Sequence, residues 1–279
     1  KSAQYDTTSV LQLPVGACLI KNFYYPADFR KPDEKNRIIE TRLLVHCAEG
    51  WDARDYVWND EQTEATLENA GDIKQVSWIH YDGSNRKIDY VIPSKNQCKG
   101  CHWHNGINIV PIGPKARNLN HDFDYAEGKE NELAHWTKIG YLKGAPSPDL
   151  SPKIADWTDS VHYTVEQRTR AYLEMNCGHC HNPNGPAYTS GLFLNLENSN
   201  TEHLGFCKAP VAAGKATGNH LYDIVPGKPE ESILVFRIEN DDPGMRMPEI
   251  GRTIVHTEGA NLITQWIKEM SPNACKAQD

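Results

Sequence analysis

Two stretches of the chain, QCKGCHWHNG at 97–106 and NCGHCHNPNG at 176–185, carry the same arrangement of reactive side chains: Cys98-Lys-Gly-Cys101-His102 and Cys177-Gly-His-Cys180-His181. Two thiols at this spacing can add to the two vinyl groups of a haem, and the histidine that follows is then placed under the iron as an axial base. With 8 Cys and 12 His among 279 residues, chance predicts about 0.01 copies of a Cys-x-x-Cys-His run. Two are present. A zinc site built from the same four cysteines would leave 75 residues between Cys101 and Cys177, far beyond ribbon spacing, and neither histidine would be explained. A thioredoxin-like redox pair belongs at the start of a helix in a βαβ setting and needs no histidine after it. The expected cofactors are therefore two covalently bound haem c groups and their iron, tethered by Cys98, Cys101, Cys177 and Cys180, with His102 and His181 as metal ligands.

An iron that only carries electrons takes a sixth ligand, usually Met or His. The methionines are Met175, Met245, Met247 and Met270. Met175 is too close to Cys177 to cross to the opposite haem face, and Met270 lies on an amphipathic terminal run. DDPGMRMPEIG, an irregular loop with Met followed by Pro, suits distal ligation, so Met247 is the expected ligand at the second site, with Met245 as its alternate. No methionine follows the first motif before residue 158. His104 is too near His102, which leaves His46, His80, His121 or His135, or an open position. His46 stands first among these because it ends an apolar strand-like run. Pro186 is expected to accept the His181 ring N–H through its carbonyl, and Arg168, Arg170 and Arg237 to face haem propionates or solvent partners.

These residues need elements to hold them. Residues 1–94 are expected to form a β-rich domain. The runs VGACLIKNFYY, NRIIETRLLVHC, GWDARDYVWND, IKQVSWIHYDG and RKIDYVIP are rich in β-branched and aromatic residues and are parted by Gly, Asp and Asn turn signals. Residues 95–158 should hold the first haem c region, with GKENELAHWTKIGYL its best helix and GAPSPDLSP a Pro-rich break. Residues 159–279 should form the second haem c domain, in which TVEQRTRAYLEMN crosses EGANLITQWIKEM through Leu173, Leu262, Ile263, Trp266 and Ile267. The expected fold class is α+β multidomain: an N-terminal antiparallel β domain followed by two mainly helical c-type cytochrome haem-binding regions.

Composition bounds the partners. A net charge of −8 argues against a nucleic-acid backbone as ligand. A mean hydropathy of −0.63, with no apolar run of about 18 residues, predicts no transmembrane segment. KSAQYDTTSV has no charged segment followed by an apolar one, so an export signal is expected to have been removed. Cys18, Cys47, Cys207 and Cys275 remain outside the motifs. Pairings of 18 with 47 and 207 with 275 are favoured among three possibilities, with four buried thiols as the alternative. Disulfide bonds would imply an oxidising compartment.

The segments IETRLLVH, YVWNDEQTEATLENAG, NQCKGCH, PIGPKARNLN, MNCGHCHNPNGPAYTSGL, YDIVPGKPEESIL and RMPEIGRTIVHTEGANLITQWI resemble, over roughly residues 10 to 270, a family of exported bacterial diheme c-type cytochromes that includes lipoprotein-like members. Cys-x-x-Cys-His is generic to c-type cytochromes; PIGPKARNLN and NPNGPAYTSGL are particular to this group. The resemblance implies a periplasmic, extracellular or outer-membrane-associated electron-transfer protein, with other redox proteins or cytochromes as partners and homo-oligomers as one further form. The alternative class is an enzyme, a diheme peroxidase or oxidase with an open first haem.

Overall fold

The computed structural model of the protein describes residues 1–107 and 109–272. Its strands, in chain order, are β1 (Ala3–Gln4), β2 (Cys18–Pro26), β3 (Asn36–Cys47), β4 (Gly50–Trp58), β5 (Ala65–Glu68), β6 (Asp72–Ile79), β7 (Asn85–Ile92), β8 (Asp122–Tyr125), β9 (Gly128–Asn131) and β10 (Leu142–Lys143). Its α-helices are α1 (Lys95–His102), α2 (Ala116–Leu119), α3 (Glu132–Lys138), α4 (Val165–Asn176), α5 (Ile233–Glu239) and α6 (Thr257–Glu269). The chain divides into two compact units. Among the described residues, one comprises 13–102 and 109–111, the other 1–12, 103–107 and 112–272.

The first of these, the sheet unit, is the expected β region. Strands β2, β3, β4 and β5 form an antiparallel meander, and β6 and β7 a separate hairpin. Alternating side chains send Ile39, Val76, Trp78 and Ile92 into one core, with Tyr25, Phe29, Val57, Ile88 and Tyr90 packed around it. Each such apolar side chain removed from water stabilises the unit by roughly 1.5–3 kcal/mol. Gly71, between β5 and β6, sits at φ +86 and a Cβ there would meet the Ile92 carbonyl at 2.8 Å. Only glycine lets the two strand ends approach this closely.

The other, larger unit has a different texture. Its core joins Leu173 of α4, Leu234 and Val235 of α5, and Ile263, Trp266 and Ile267 of α6 to Leu194 and Ile224 from irregular chain. Helix α4 starts on a reciprocal cap, in which Thr164 Oγ1 accepts from Gln167 N–H and the Gln167 side chain accepts from Thr164 N–H. It crosses α6 where Gly259 faces Tyr172; a Cβ on Gly259 would lie 2.2 Å from the phenol ring.

The expectation of two mainly helical haem regions is not met. Between 95 and 158 the α-helices have only 8, 4 and 7 residues, and β8, β9 and β10 lie among them. GKENELAHWTKIGYL is split: Gly128–Asn131 pairs with β8, Asn131 caps α3, and the helix ends at Lys138. In the later region α4, α5 and α6 have 12, 7 and 13 residues, and residues 177–232 form no α-helix, only single 3₁₀ turns. The reason is local. That segment is dense in Asn, Gly and Pro, which favour turns, and its backbone groups bond to side chains and to distant loops instead of to an i−4 partner.

The disulfide between Cys18 and Cys47 is also absent; both are thiols. The two strands are neighbours as expected, but Cys18 is opposite Val45 and Cys47 is opposite Gly50. A diagonal placement separates the Cβ atoms by more than the roughly 3.5–4.5 Å a disulfide spans. Cys207 is disulfide-bonded; Cys275 lies outside the described residues. None of the helices among the described residues is long and apolar enough to cross a membrane.

Candidate functional site

In the sheet unit, the first motif occupies α1. Lys95 opens the helix and its Nζ pairs with Asp52 of β4 at 2.7 Å, which lays α1 on the sheet. Cys98 and Cys101 are half-buried thiols. Burial pushes the Cys98 thiol up, Arg42 pulls it down, and Asp55 raises it again, so both charged groups lie within electrostatic reach of the cysteine.

His102 ends the helix and is bonded twice to one residue. Its Nδ1 lies 2.6 Å from the Val110 carbonyl oxygen, and the Val110 N–H donates to the His102 carbonyl at 2.9 Å. A carbonyl oxygen only accepts, so Nδ1 carries the proton and the neutral ring's lone pair is at Nε2.

The second motif, in the larger unit, continues from α4. Cys177 packs against the apolar core, and burial pushes its thiol up to about 12. Glu174, buried on the last turn of α4, accepts from Lys115 at 2.6 Å, from Arg117 at 2.9 Å and from the Leu196 N–H at 2.9 Å. PIGPKARNLN is thus a clamp on the helix that delivers Cys177.

His181 repeats the logic of His102. Its Nδ1 donates to the Leu192 carbonyl at 3.2 Å, and its own carbonyl accepts from Leu194 N–H at 2.7 Å. The acceptor is therefore Leu192, not Pro186, because the chain turns through Gly185–Ser190 before running back along the histidine. Burial holds the imidazole neutral down to about pH 4, against the stabilising bond to Leu192, and Arg237 lowers it further.

Arg237 also connects His181 to the methionine loop. Its Nε donates to the Met245 carbonyl at 2.9 Å, and the Met247 N–H donates to the Arg237 carbonyl at 2.9 Å. Arg252 closes the loop from the other end, donating to Met247 O at 2.9 Å and to the carbonyls of Ile238 and Asn240. The Met247 segment is thus anchored to a residue that acts electrostatically on His181. Met175 is exposed and Met270 packs on the core. Arg170 spends its guanidinium on the carbonyls of Asn195, Leu196 and Asn198 at 2.6–3.2 Å, and Arg168 donates to Trp157 O at 2.8 Å.

Of the histidines expected as a second ligand at the first motif, His46 and His80 share the sheet unit with His102. Trp78 Nε1–H points at His80 Nδ1 at 3.3 Å, which puts the proton of the neutral His80 ring on Nε2. His46 has the opposite tautomer: Nδ1 donates to Leu13 O at 2.8 Å, and the ring stacks on Trp51 at 4.4 Å. His121 and His135, in the larger unit, face Glu132 at 3.4 Å and Glu130 at 2.8 Å.

All four motif cysteines are thiols rather than disulfides, and both histidines carry the ring proton on Nδ1, so the donor types fit a thioether-bound haem at each motif. Sequence reasoning did not find Val110 or Leu192, because a backbone carbonyl carries no side-chain signal. It also missed the Lys115–Arg117–Glu174 clamp, whose charges are 57 and 59 residues apart. No protein-family model, curated protein or solved structure matches the chain.

Proposed function

We propose that this chain is an exported electron-transfer protein carrying two covalent c-type haems, one tethered by Cys98 and Cys101 with His102 as axial base, the other by Cys177 and Cys180 with His181 and Met247 as axial ligands. The observation that carries the reading is the repeated tautomer: after each thiol pair, a histidine gives its Nδ1 proton to a downstream carbonyl and keeps its lone pair on Nε2. A haem bound at each motif supplies a one-electron iron couple. The chain's own groups do the rest: Val110 and Leu192 orient the two rings and raise their basicity, Arg237 and Arg252 hold the Met247 loop, and the core around Cys177 excludes water. A thioether ligand favours reduced iron, so the second site is assigned the higher potential. For the far side of the first iron we propose His46, whose tautomer matches that of His102.

The resemblance to exported diheme cytochromes supports the same reading, and the Cys207 disulfide supports an oxidising compartment, the periplasm or cell surface. Partners are other redox proteins.

The test is the mass of the denatured chain made in cells that attach c-type haem. Two added haems are expected, falling to one in Cys98→Ala/Cys101→Ala; a chain that leaves those cells unmodified would sink the proposal. His46→Ala is expected to turn the first site high-spin and open to CO. If the unaltered protein already binds CO there, His46 is not a ligand and the peroxidase or oxidase class takes precedence.

A further inference from the structure

Beneath α1 the sheet buries more charge than its fold requires. Lys21, Arg42, Asp55 and Glu68 are opposite one another in a single row across β2, β3, β4 and β5. Glu40, two residues before Arg42, is 0% exposed and Asp55 8%. One guanidinium serves both acids: Arg42 is 2.5 Å from Glu40 and 3.4 Å from Asp55. The Tyr90 hydroxyl donates to Glu40 at 2.6 Å, and Arg42 lies over the Phe23 ring at 4.2 Å.

Glu40 is thereby satisfied as a carboxylate. Neither oxygen of Asp55 receives a hydrogen bond. Arg42 is the cation paired with both buried carboxylates, and Lys21 adds only a longer-range attraction on Glu40; two carboxylates this buried are costly together unless one acid keeps its proton. The acid without donors is the one to keep it, and as a carboxylic acid it can donate to Glu40.

We infer that the Glu40–Asp55 pair is a proton site coupled to the first haem: Asp55 holds one proton while that iron is reduced and releases it when the iron is oxidised. The inference rests on the haem reading above. On oxidation the Asp55 O–H bond breaks and the proton passes to solvent, while one electron leaves the iron for a redox-protein partner; reduction reverses both. The placement supports this, since α1 packs against β4, and Arg42 and Asp55 act electrostatically on Cys98. Burial first, then Glu40, pushes Asp55 up to about 8. Burial opposes the ionisation of Glu40, but bonds from Asp55, Arg42 and Tyr90 hold it below the usual range. The other charged or titratable groups facing the pair are Lys21 from β2, Arg42 from β3, Glu68 from β5, Tyr90 from β7 and Cys98 from α1. Arg42 does not lose its proton, and burial and Glu40 raise Tyr90 further from neutrality.

The sign follows. Higher pH favours the deprotonated pair and with it oxidised iron, so the first potential falls as pH rises through the Asp55 titration. One proton per electron changes the reduction equilibrium by up to tenfold per pH unit, about 59 mV. Spectroelectrochemical titration of the two-haem protein at a series of pH values is expected to show this slope at the first haem and a flatter one at the Met247 haem. Asp55→Asn should abolish it and remove a carboxylic C=O band from the redox infrared difference spectrum; Glu40→Gln, a second variant should Asp55→Asn not fold, should move the slope to lower pH. Denaturing mass is read first. Absence of haem on Cys98 and Cys101 overturns the haem reading and this inference together, whereas two haems with a pH-independent first potential overturn the proton site alone.

Discussion

The two Cys-x-x-Cys-His sites share a sequence pattern and a clamped histidine, yet the chain surrounds them with different matter. The first lies on a helix laid over a sheet, where Arg42, Glu40 and Asp55 form a charged floor. The second continues from a helix locked into the apolar core, where burial carries the Cys177 thiol to about 12, and burial, helped by Arg237, His179 and Lys208, brings the His181 imidazole to about 4. An apolar surround penalises net charge and would favour the more neutral, reduced state of an iron bound there. A floor of fixed and titratable charges would make the same chemistry answer to pH. One sequence pattern therefore stands in two electrostatic environments, and a group attached at either would behave as its surroundings dictate.

The largest expected effect comes from removing the thiols one motif at a time. Cys177→Ala/Cys180→Ala is expected to abolish one haem addition by mass and leave the spectrum of the first site intact; loss of both haems would mean that the two sites do not form independently. Met247→Ala should lower the potential of the second site only and erase the long-wavelength thioether band of the oxidised protein. A shift at the first site instead would reverse the assignment.

Stability experiments sharpen the contrast further. Glu174→Ala leaves Arg117 and Lys115 without their buried partner, and breaking such a cluster costs about 3–5 kcal/mol, measurable by urea unfolding. Gly259→Ala drives a methyl into Tyr172 and should cost about 1–3 kcal/mol, with partial recovery in Tyr172→Leu. Both act on the larger unit. In the sheet unit the handle is pH. Asp55 has a folded pKa raised to about 8 from 3.8, so its contribution is full below the unfolded value and declines as pH rises from about 4 to about 8. One proton gives at most about 1.4 kcal/mol per pH unit. Asp55→Asn should flatten that decline in denaturant titrations.

Much of the scaffold could be read without coordinates. The five β-branched and aromatic runs before residue 95 became β2, β3, β4, β6 and β7, because period-two burial and turn residues act locally. TVEQRTRAYLEMN and EGANLITQWIKEM became α4 and α6 for the same kind of reason: each has an apolar face at helical spacing, and the first also has its cap. Residues 95–158 and 177–232 were expected to be more helical than they are, since a nearby Cys-x-x-Cys-His run is no substitute for an uninterrupted helical pattern. Cys18 and Cys47 were placed on the right strands and in the wrong register, because a shift of two residues preserves every burial pattern while separating two sulfurs.

Residue order alone placed two thiol pairs and their histidines, and periodicity alone marked five strands and the helices α4 and α6, because covalent order and side-chain spacing are properties of neighbouring residues. The tertiary structure decided which carbonyl takes each imidazole proton, which arginines hold the methionine loop, and that Glu40 and Asp55 share one guanidinium. Those outcomes depend on groups brought together from distant positions and withdrawn from water, where a single hydrogen bond or unpaired charge governs the protonation state of its neighbour.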